Sequence, residues 1–315
     1  LEESVIKMLK VVNIKKKYGE FEVLKDISFE IKKGTIYGFL GPNGSGKSTT
    51  MNILSGLIDF NGGEIYLGGE NFKKNKRRLL KKVGYLPQDP VFYNYMNANE
   101  YLHFIGEISN MTEKNIRERT IEILEIVKLT EPAKRKIGQY SGGMKQRLGI
   151  AVALFNKPEI VFLDEPTSAL DPEGRMEILE FIKKLKSEGT TVFMSTHILS
   201  DIERVCDHVS ILDKGKILVS DNLENLKNKY IQPIFDIEFE KPCAKLDSIL
   251  LNFRWVESVL IRENKASIYV NNLEIAKSEL LKFLVQGENT ILSYELRKSN
   301  LEDIFIRLVN ENENL

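Results

Sequence analysis

Apolar positions recur along this chain with two different periods. Residues Leu9–Lys16 and Phe21–Ile31 carry partial alternation and are split by Tyr18-Gly19. That spacing predicts a hairpin-like pair of strands in an antiparallel lobe. Thr35–Leu40 reads as a short buried strand running into a glycine-rich turn, with a helical pattern following through Leu57. Lys73–Lys82 reads as a charged, exposed stretch, and Val83–Leu86 as strand-like. Thr112–Leu129 places Ile116, Ile121, Leu124 and Val127 at a helical period. Short apolar runs at Ile160–Leu163, Val192–Met194 and Val209–Leu212 alternate with helices. Such runs predict a parallel sheet covered on both faces, hence an α/β fold.

The texture changes after Asp221. Leu223–Tyr230 predicts a linker helix, leaving the core after the strand that bears Leu212. The remainder alternates as strand Ile234–Glu240, helix Ala244–Asn252, strand Val256–Arg262, strand Ala266–Val270, helix Leu273–Leu284 and strand Ile291–Leu296. This β-α-β-β-α-β order is the ferredoxin-like arrangement. A final helix, Leu301–Val309, is expected to pack on a neighbour through Leu301, Ile304, Phe305 and Leu308. The expected division is therefore a core over 8–222, a linker helix over 223–230 and a small α+β domain over 231–315. That last domain has no cluster of His, Cys or paired acids, so a regulatory or dimer-supporting role is expected of it.

Three segments carry chemistry. Gly41-Pro42-Asn43-Gly44-Ser45-Gly46-Lys47-Ser48-Thr49 fits a phosphate loop and lies between a predicted strand and a predicted helix, as that motif requires. Its glycines let backbone N–H groups close around phosphates where side chains would collide. Lys47 adds positive charge, and the Ser48 hydroxyl is a ligand for Mg²⁺. The run Ile160–Leu163 ends in Asp164 and Glu165, then a proline. Asp164 is expected to anchor Mg²⁺, and Glu165 to polarise an attacking water. Ser141-Gly142-Gly143 opens a helix, leaving bare N–H groups that suit an anion. Lys145 and Arg147 read as surface charges on that helix.

With these motifs in order, residues 8 to about 225 resemble the nucleotide-binding subunit of an ATP-binding cassette (ABC) transporter. The resemblance implies a P-loop core with a helical signature lobe, and ATP with Mg²⁺ as cofactors. It implies that Tyr18 stacks on adenine with Val23 near the base, and that Gln88 contacts Mg²⁺ and the attacking water while sensing a membrane partner. Ser141, Gly142 and Gly143 would hold the γ-phosphate of ATP bound to a second ATP-binding subunit. Asp171 would sit in the loop that communicates across that dimer, and His197 would be the γ-phosphate switch. Two departures stand out: Tyr140 replaces the usual leucine before the signature, and Met144 the usual glutamine after it. The Ser-Gly-Gly itself is intact.

Phe92–Phe104, after Gln88, lies where such subunits meet a transmembrane permease. Its pattern, and the tail Ser299–Phe305, resemble exporters of the ABC-2 type, the group that includes drug-resistance ATPases. Two alternatives stay open: an importer ATPase whose extra domain senses substrate, and a soluble cassette ATPase acting on DNA or ribosomes. The compact gap from Ser48 to Ser141 and the single motif set argue against the latter.

Composition adds exclusions. Formal net charge is zero, so bulk electrostatics do not point to nucleic acid. Cys206 and Cys243 have no paired spacing and read as two reduced thiols. No apolar run approaches the roughly 20 residues that cross a bilayer. The expected location is cytoplasmic, peripheral on the inner face of the cell membrane, with contact only through the permease.

Overall fold

Alternation and burial agree from the first described strand onward. The computed structural model describes residues 7–230, 233–242, 246–286, 290–298 and 301–305. They form two compact units, Leu1–Leu223 and Glu224–Leu315.

In the first unit, β1 (Lys7–Tyr18) and β2 (Phe21–Lys32) pair antiparallel around a turn whose Gly19 has φ 58°. Strand β3 (Ile36–Leu40) leads to helix α1 (Lys47–Leu54). The helix stops three residues short of the expected Leu57, because Gly56 takes φ 76°. Then come β4 (Gly62–Leu67), β5 (Glu70–Asn71), α2 (Phe72–Leu79), β6 (Val83–Leu86), α3 (Ala98–Ile108) and α4 (Glu113–Ile126). The unit continues with α5 (Gly142–Leu154), β7 (Ile160–Asp164), α6 (Pro172–Ser187), β8 (Thr191–Thr196), α7 (Leu199–Val205), β9 (His208–Asp213) and β10 (Lys216–Asn222). Helix α8 (Leu223–Tyr230) follows.

Two sheets result. The antiparallel one runs β2-β1-β4-β5, and the larger one β10-β9-β3-β8-β7-β6. In the larger sheet every pair is parallel except β9 with β10. Strands β3, β7 and β8 are buried at every residue, which is why they read as continuous apolar runs rather than alternating ones. An aromatic knot fills the space between the sheets: Phe193 of β8 lies 5.5 Å from Phe29, 5.3 Å from Phe39 and 5.9 Å from Phe162, centroid to centroid. A fully buried Phe in such a place stabilises the fold by roughly 1.5–3 kcal/mol. It holds the C-terminal ends of β3, β7 and β8 side by side.

The structure departs from these expectations in places and adds strands to them. Residues 73–82 are not merely an exposed charged stretch: Asn71 caps α2 by accepting from the Lys74 N–H. Phe72 and Leu79, two turns apart, are buried on one face. In α4, Ile121 is 69% exposed and Ile123 takes the core position. Ile121 is five residues from Ile116, well off the 3.6-residue stripe. Strand β10, which the sequence reading did not mark, stands between the Leu212 strand and α8. Strand β4 begins at Gly62-Gly63, where turn residues hide a strand. A Cβ on Gly63 would lie 2.4 Å from the Asn13 carbonyl oxygen, so only glycine allows β1 and β4 to approach there.

The second unit contains β11 (Pro233–Phe239), α9 (Leu246–Leu250), β12 (Val256–Arg262), β13 (Lys265–Val270), α10 (Leu273–Val285) and β14 (Ile291–Lys298). Its antiparallel sheet has the order β12-β13-β11-β14, the ferredoxin-like order. Phe235, Ile237 and Phe239 alternate onto one face with Ile268, Ala276 and Leu280. Residues 301–305 are helical, with Leu301 and Ile304 buried within this chain. Ala244 and residues 306–309 lie outside the described residues.

Candidate nucleotide site

Strand β3 delivers the chain into the glycine-rich turn. Gly44 and Gly46 take φ 82° and 111°, which side-chain-bearing residues rarely adopt. A Cβ on Gly46 would lie 2.6 Å from Leu24 Cδ2 and 3.4 Å from the Val23 carbonyl oxygen, so Val23 does border the loop. Helix α1 starts at Lys47 with no side-chain cap, which leaves its first N–H groups for an anion. Ser45 Oγ is buried without a hydrogen-bond partner. An orphaned hydroxyl inside a phosphate loop is a donor set aside for a ligand.

Lys47 folds over this cradle. Its Nζ donates to the Gly41 and Pro42 carbonyls at 2.9 and 3.2 Å and lies 3.8 Å from Glu165 Oε1. Burial pushes its pKa down, against the pull of Glu165 and Asp164. Thus the Lys47 charge rests on the loop's own carbonyls. Asp164, at the end of β7, is buried; burial raises its carboxyl, opposed by hydrogen bonds from Ser195 and Ser48. The paired Ser48 hydroxyl and Asp164 carboxylate are hard oxygen donors. They suit Mg²⁺, which keeps several waters and needs few protein ligands. Among the described residues no cluster of three or more His, Cys, Asp or Glu could hold a metal instead.

Glu165 sits at φ 52°, a left-handed conformation that costs roughly 1–3 kcal/mol and persists only where the surroundings over-determine it. Its N–H donates to the Ser195 carbonyl at 3.1 Å, and its own carbonyl accepts from Ser168 Oγ at 3.0 Å and Gln146 Nε2 at 3.4 Å. Both carboxylate oxygens lie 3.0 Å from His197 Nδ1. The side chain is 4% exposed, while His197 is 51% exposed. The structure therefore gathers Gly41–Thr49, Asp164, Glu165 and His197 at the C-terminal ends of β3, β7 and β8.

Among the described residues, no hydrogen bond joins the other expected residues to this cluster. Tyr18 is half-exposed at the hairpin end, with Lys16 Nζ 4.8 Å from its ring centre. Gln88 is exposed in the loop after β6. Ser141 caps α5, its Oγ accepting from the Met144 N–H at 3.2 Å. A Cβ on Gly142 would meet nothing within 4 Å, and one on Gly143 only Leu170 and Ala169. Among the described residues no hydrogen bond joins Ser141–Gly143 to the phosphate loop. Asp171 caps α6, accepting from the Gly174 N–H at 3.1 Å. Arg147 is not a free surface charge: it is 17% exposed and pairs with Glu177 at 2.7 Å, tying α5 to α6. Ser195 and Gln146 escaped the sequence reading. Ser195 could have been found, since it stands near the end of β8, two residues before His197.

Comparison with known proteins decides the family. A model of the ABC transporter family matches residues 24–168, and one of the DrrA1-3-like ATP-binding protein C-terminal domain matches residues 222–309. The uncharacterized ABC transporter ATP-binding protein YxlF of Bacillus subtilis (strain 168) is 39% identical over 96% of this chain and all of its own length. The chain belongs to the ABC transporter ATP-binding proteins. The cassette is 35% identical to the linearmycin resistance ATP-binding protein LnrL of the same organism, across 96% of this chain and 98% of that one. It is 36% identical to the bacitracin transport ATP-binding protein BcrA of Bacillus licheniformis, across 96% and 97%. A dimeric post-hydrolysis ATP-binding cassette bound to ADP and Pi matches with a TM-score of 0.63 at 31% identity, covering 69% of this chain and 99% of that one. The cassette binds and hydrolyses ATP as the ATP-binding subunit of a transporter.

Proposed function

We propose that this cassette powers an exporter, working as one half of a dimer whose two ATP sites are each shared between copies. The observation that carries this reading is a separation. Phosphate loop, Asp164, Glu165 and His197 converge, whereas among the described residues no hydrogen bond joins the capped, open N-terminus of α5 at Ser141–Gly143 to them. ATP bound to one loop would be closed by the facing α5 N-terminus, whose dipole favours the phosphate charge. Tyr18 would stack on the base, and Asp171 would lie at the dimer seam. Mg²⁺, when bound through Ser48 and Asp164 with Gln88 nearby, would neutralise phosphate charge. Lys47 would leave the Gly41 and Pro42 carbonyls for the phosphates, and Glu165, oriented by His197, would accept the proton of the attacking water.

Relatives named for linearmycin resistance, bacitracin transport and lantibiotic transport favour export over the importer and the DNA- or ribosome-acting readings. The permease would dock beside Gln88, where Phe92, Tyr93, Tyr95, Tyr101 and Phe104 form a ring cluster with centroids 5.2–6.3 Å apart. This would hold the cassette on the inner membrane face; among the described residues no helix is long and apolar enough to cross a membrane. The test is Glu165→Gln. Turnover should fall by roughly 10²–10⁴-fold with ATP binding retained, and ATP should drive the variant into a stable dimer on gel filtration. Near-normal turnover refutes the role given to Glu165.

A further inference from the structure

Asp201, on α7, is fully buried, and no sequence motif singled it out. A buried carboxylate is costly unless each oxygen is satisfied, and here the partners come from two other segments. Thr167 Oγ1 donates to Asp201 Oδ2 at 2.6 Å. Arg175 Nε donates to Oδ1 at 2.6 Å, and Arg175 Nη2 reaches Ser200 Oγ at 2.7 Å. Thr167 lies two residues after Glu165, Asp201 four after His197, and Arg175 four after Asp171. One buried carboxylate thus joins the segments that carry the water-activating acid, the histidine and the inter-subunit aspartate.

Besides the Ser195 hydrogen bonds with the Glu165 N–H and with Asp164, two further side-chain ties join the segments bearing Glu165 and His197. The first tie, His197 to Glu165, involves a half-exposed ring and the carboxylate that must turn to the water. The second, Thr167 to Asp201, is buried at both ends, Thr167 being 1% exposed. We propose that Thr167 and Asp201 are positioning residues for Glu165: the buried tie persists while the His197 tie opens, and it holds the strained Glu165 backbone in place as its side chain turns. This rests on the reading of Glu165 given above. Arg175 extends the same fixed point to the first turn of α6, so movement of the Asp171 segment at the dimer seam reaches Glu165 through Asp201.

The test uses the full chain and measures kcat and KM for ATP. Thr167→Val keeps the volume and removes only the hydroxyl; kcat should fall about 10–100-fold, the penalty for a small misplacement of a reacting group, with KM within twofold. Thr167→Ser restores the hydroxyl and should restore kcat. Arg175→Lys, at a partly exposed position, reads the tie from the other oxygen and should lower kcat with KM unchanged. Full turnover in Thr167→Val overturns the proposal. So does a rise in KM that matches the fall in kcat, or a Thr167→Ser variant no better than Thr167→Val. Glu165→Gln is assayed in parallel: if it retains turnover, the role of Glu165 and this proposal fall together. If it is inactive while Thr167→Val is fully active, only the buried tie is refuted.

Discussion

Glu165 shows how far a single residue can be read without a structure. Its chemistry was legible because the apolar run, the acidic pair and the proline are contiguous, and a phosphate loop elsewhere gives the acid something to act on. Its left-handed backbone, and its partners His197 and Gln146, were not equally legible. They lie 32 and 19 residues away, and only the strand order brings them together. The loop glycines divide in the same manner. That Gly46 belongs to a phosphate loop follows from spacing, but the reason it must be glycine is the Leu24 side chain of another strand, 2.6 Å from where a Cβ would stand. Gly46→Ala adds that clash to an unfavourable φ, so about 1–3 kcal/mol of strain falls on the first turn of α1. The expected outcome is a folded protein with a lower melting temperature and an ATP affinity reduced at least about tenfold by calorimetry. Unchanged affinity would mean the loop tolerates a different path.

Elements were legible where burial is lopsided and obscure where charges mask a face. Strands β7 and β8 announced themselves, and so did the alternation of the second unit. Helix α2 did not, because six cations between Phe72 and Lys82 outvote two buried apolar residues in any local count. Helix α5 illustrates what a sequence cannot show at all. Its C-terminal end is held by Arg119 of α4, whose Nε and Nη2 donate to the Phe155 and Leu154 carbonyls at 3.0 and 2.6 Å. Arg119 is itself buried, and its Nη1 pairs with Glu122 at 2.8 Å. A cation there complements the helix dipole and satisfies carbonyls that the helix leaves open. Arg119→Met removes the donors while keeping much of the bulk, so stability should fall by about 2–4 kcal/mol. Urea unfolding would measure it; a loss under about 0.5 kcal/mol would show that solvent replaces the guanidinium.

At the scale of the whole molecule, the two-unit division followed from the change in texture near Asp221, because helix and strand periods are local properties. The sheet orders did not follow from it, since pairing depends on contacts between distant strands. By contrast, the resemblance already divides the candidate ATP-site residues into two groups, one of them serving a second subunit. One group converges on the phosphate loop; among the described residues, no hydrogen bond joins the other, at the N-terminus of α5, to it. The central claim, that each site is completed by a second copy, is tested by mixing two inactive chains, Ser141→Arg and Lys47→Ala. In a mixed dimer both lesions fall in one shared site and the other is whole. With free exchange of subunits, half the dimers are mixed and each keeps one of two sites, so about a quarter of the parent ATPase activity should return. If the exchanged mixture stays as inactive as either variant alone, the shared site is contradicted.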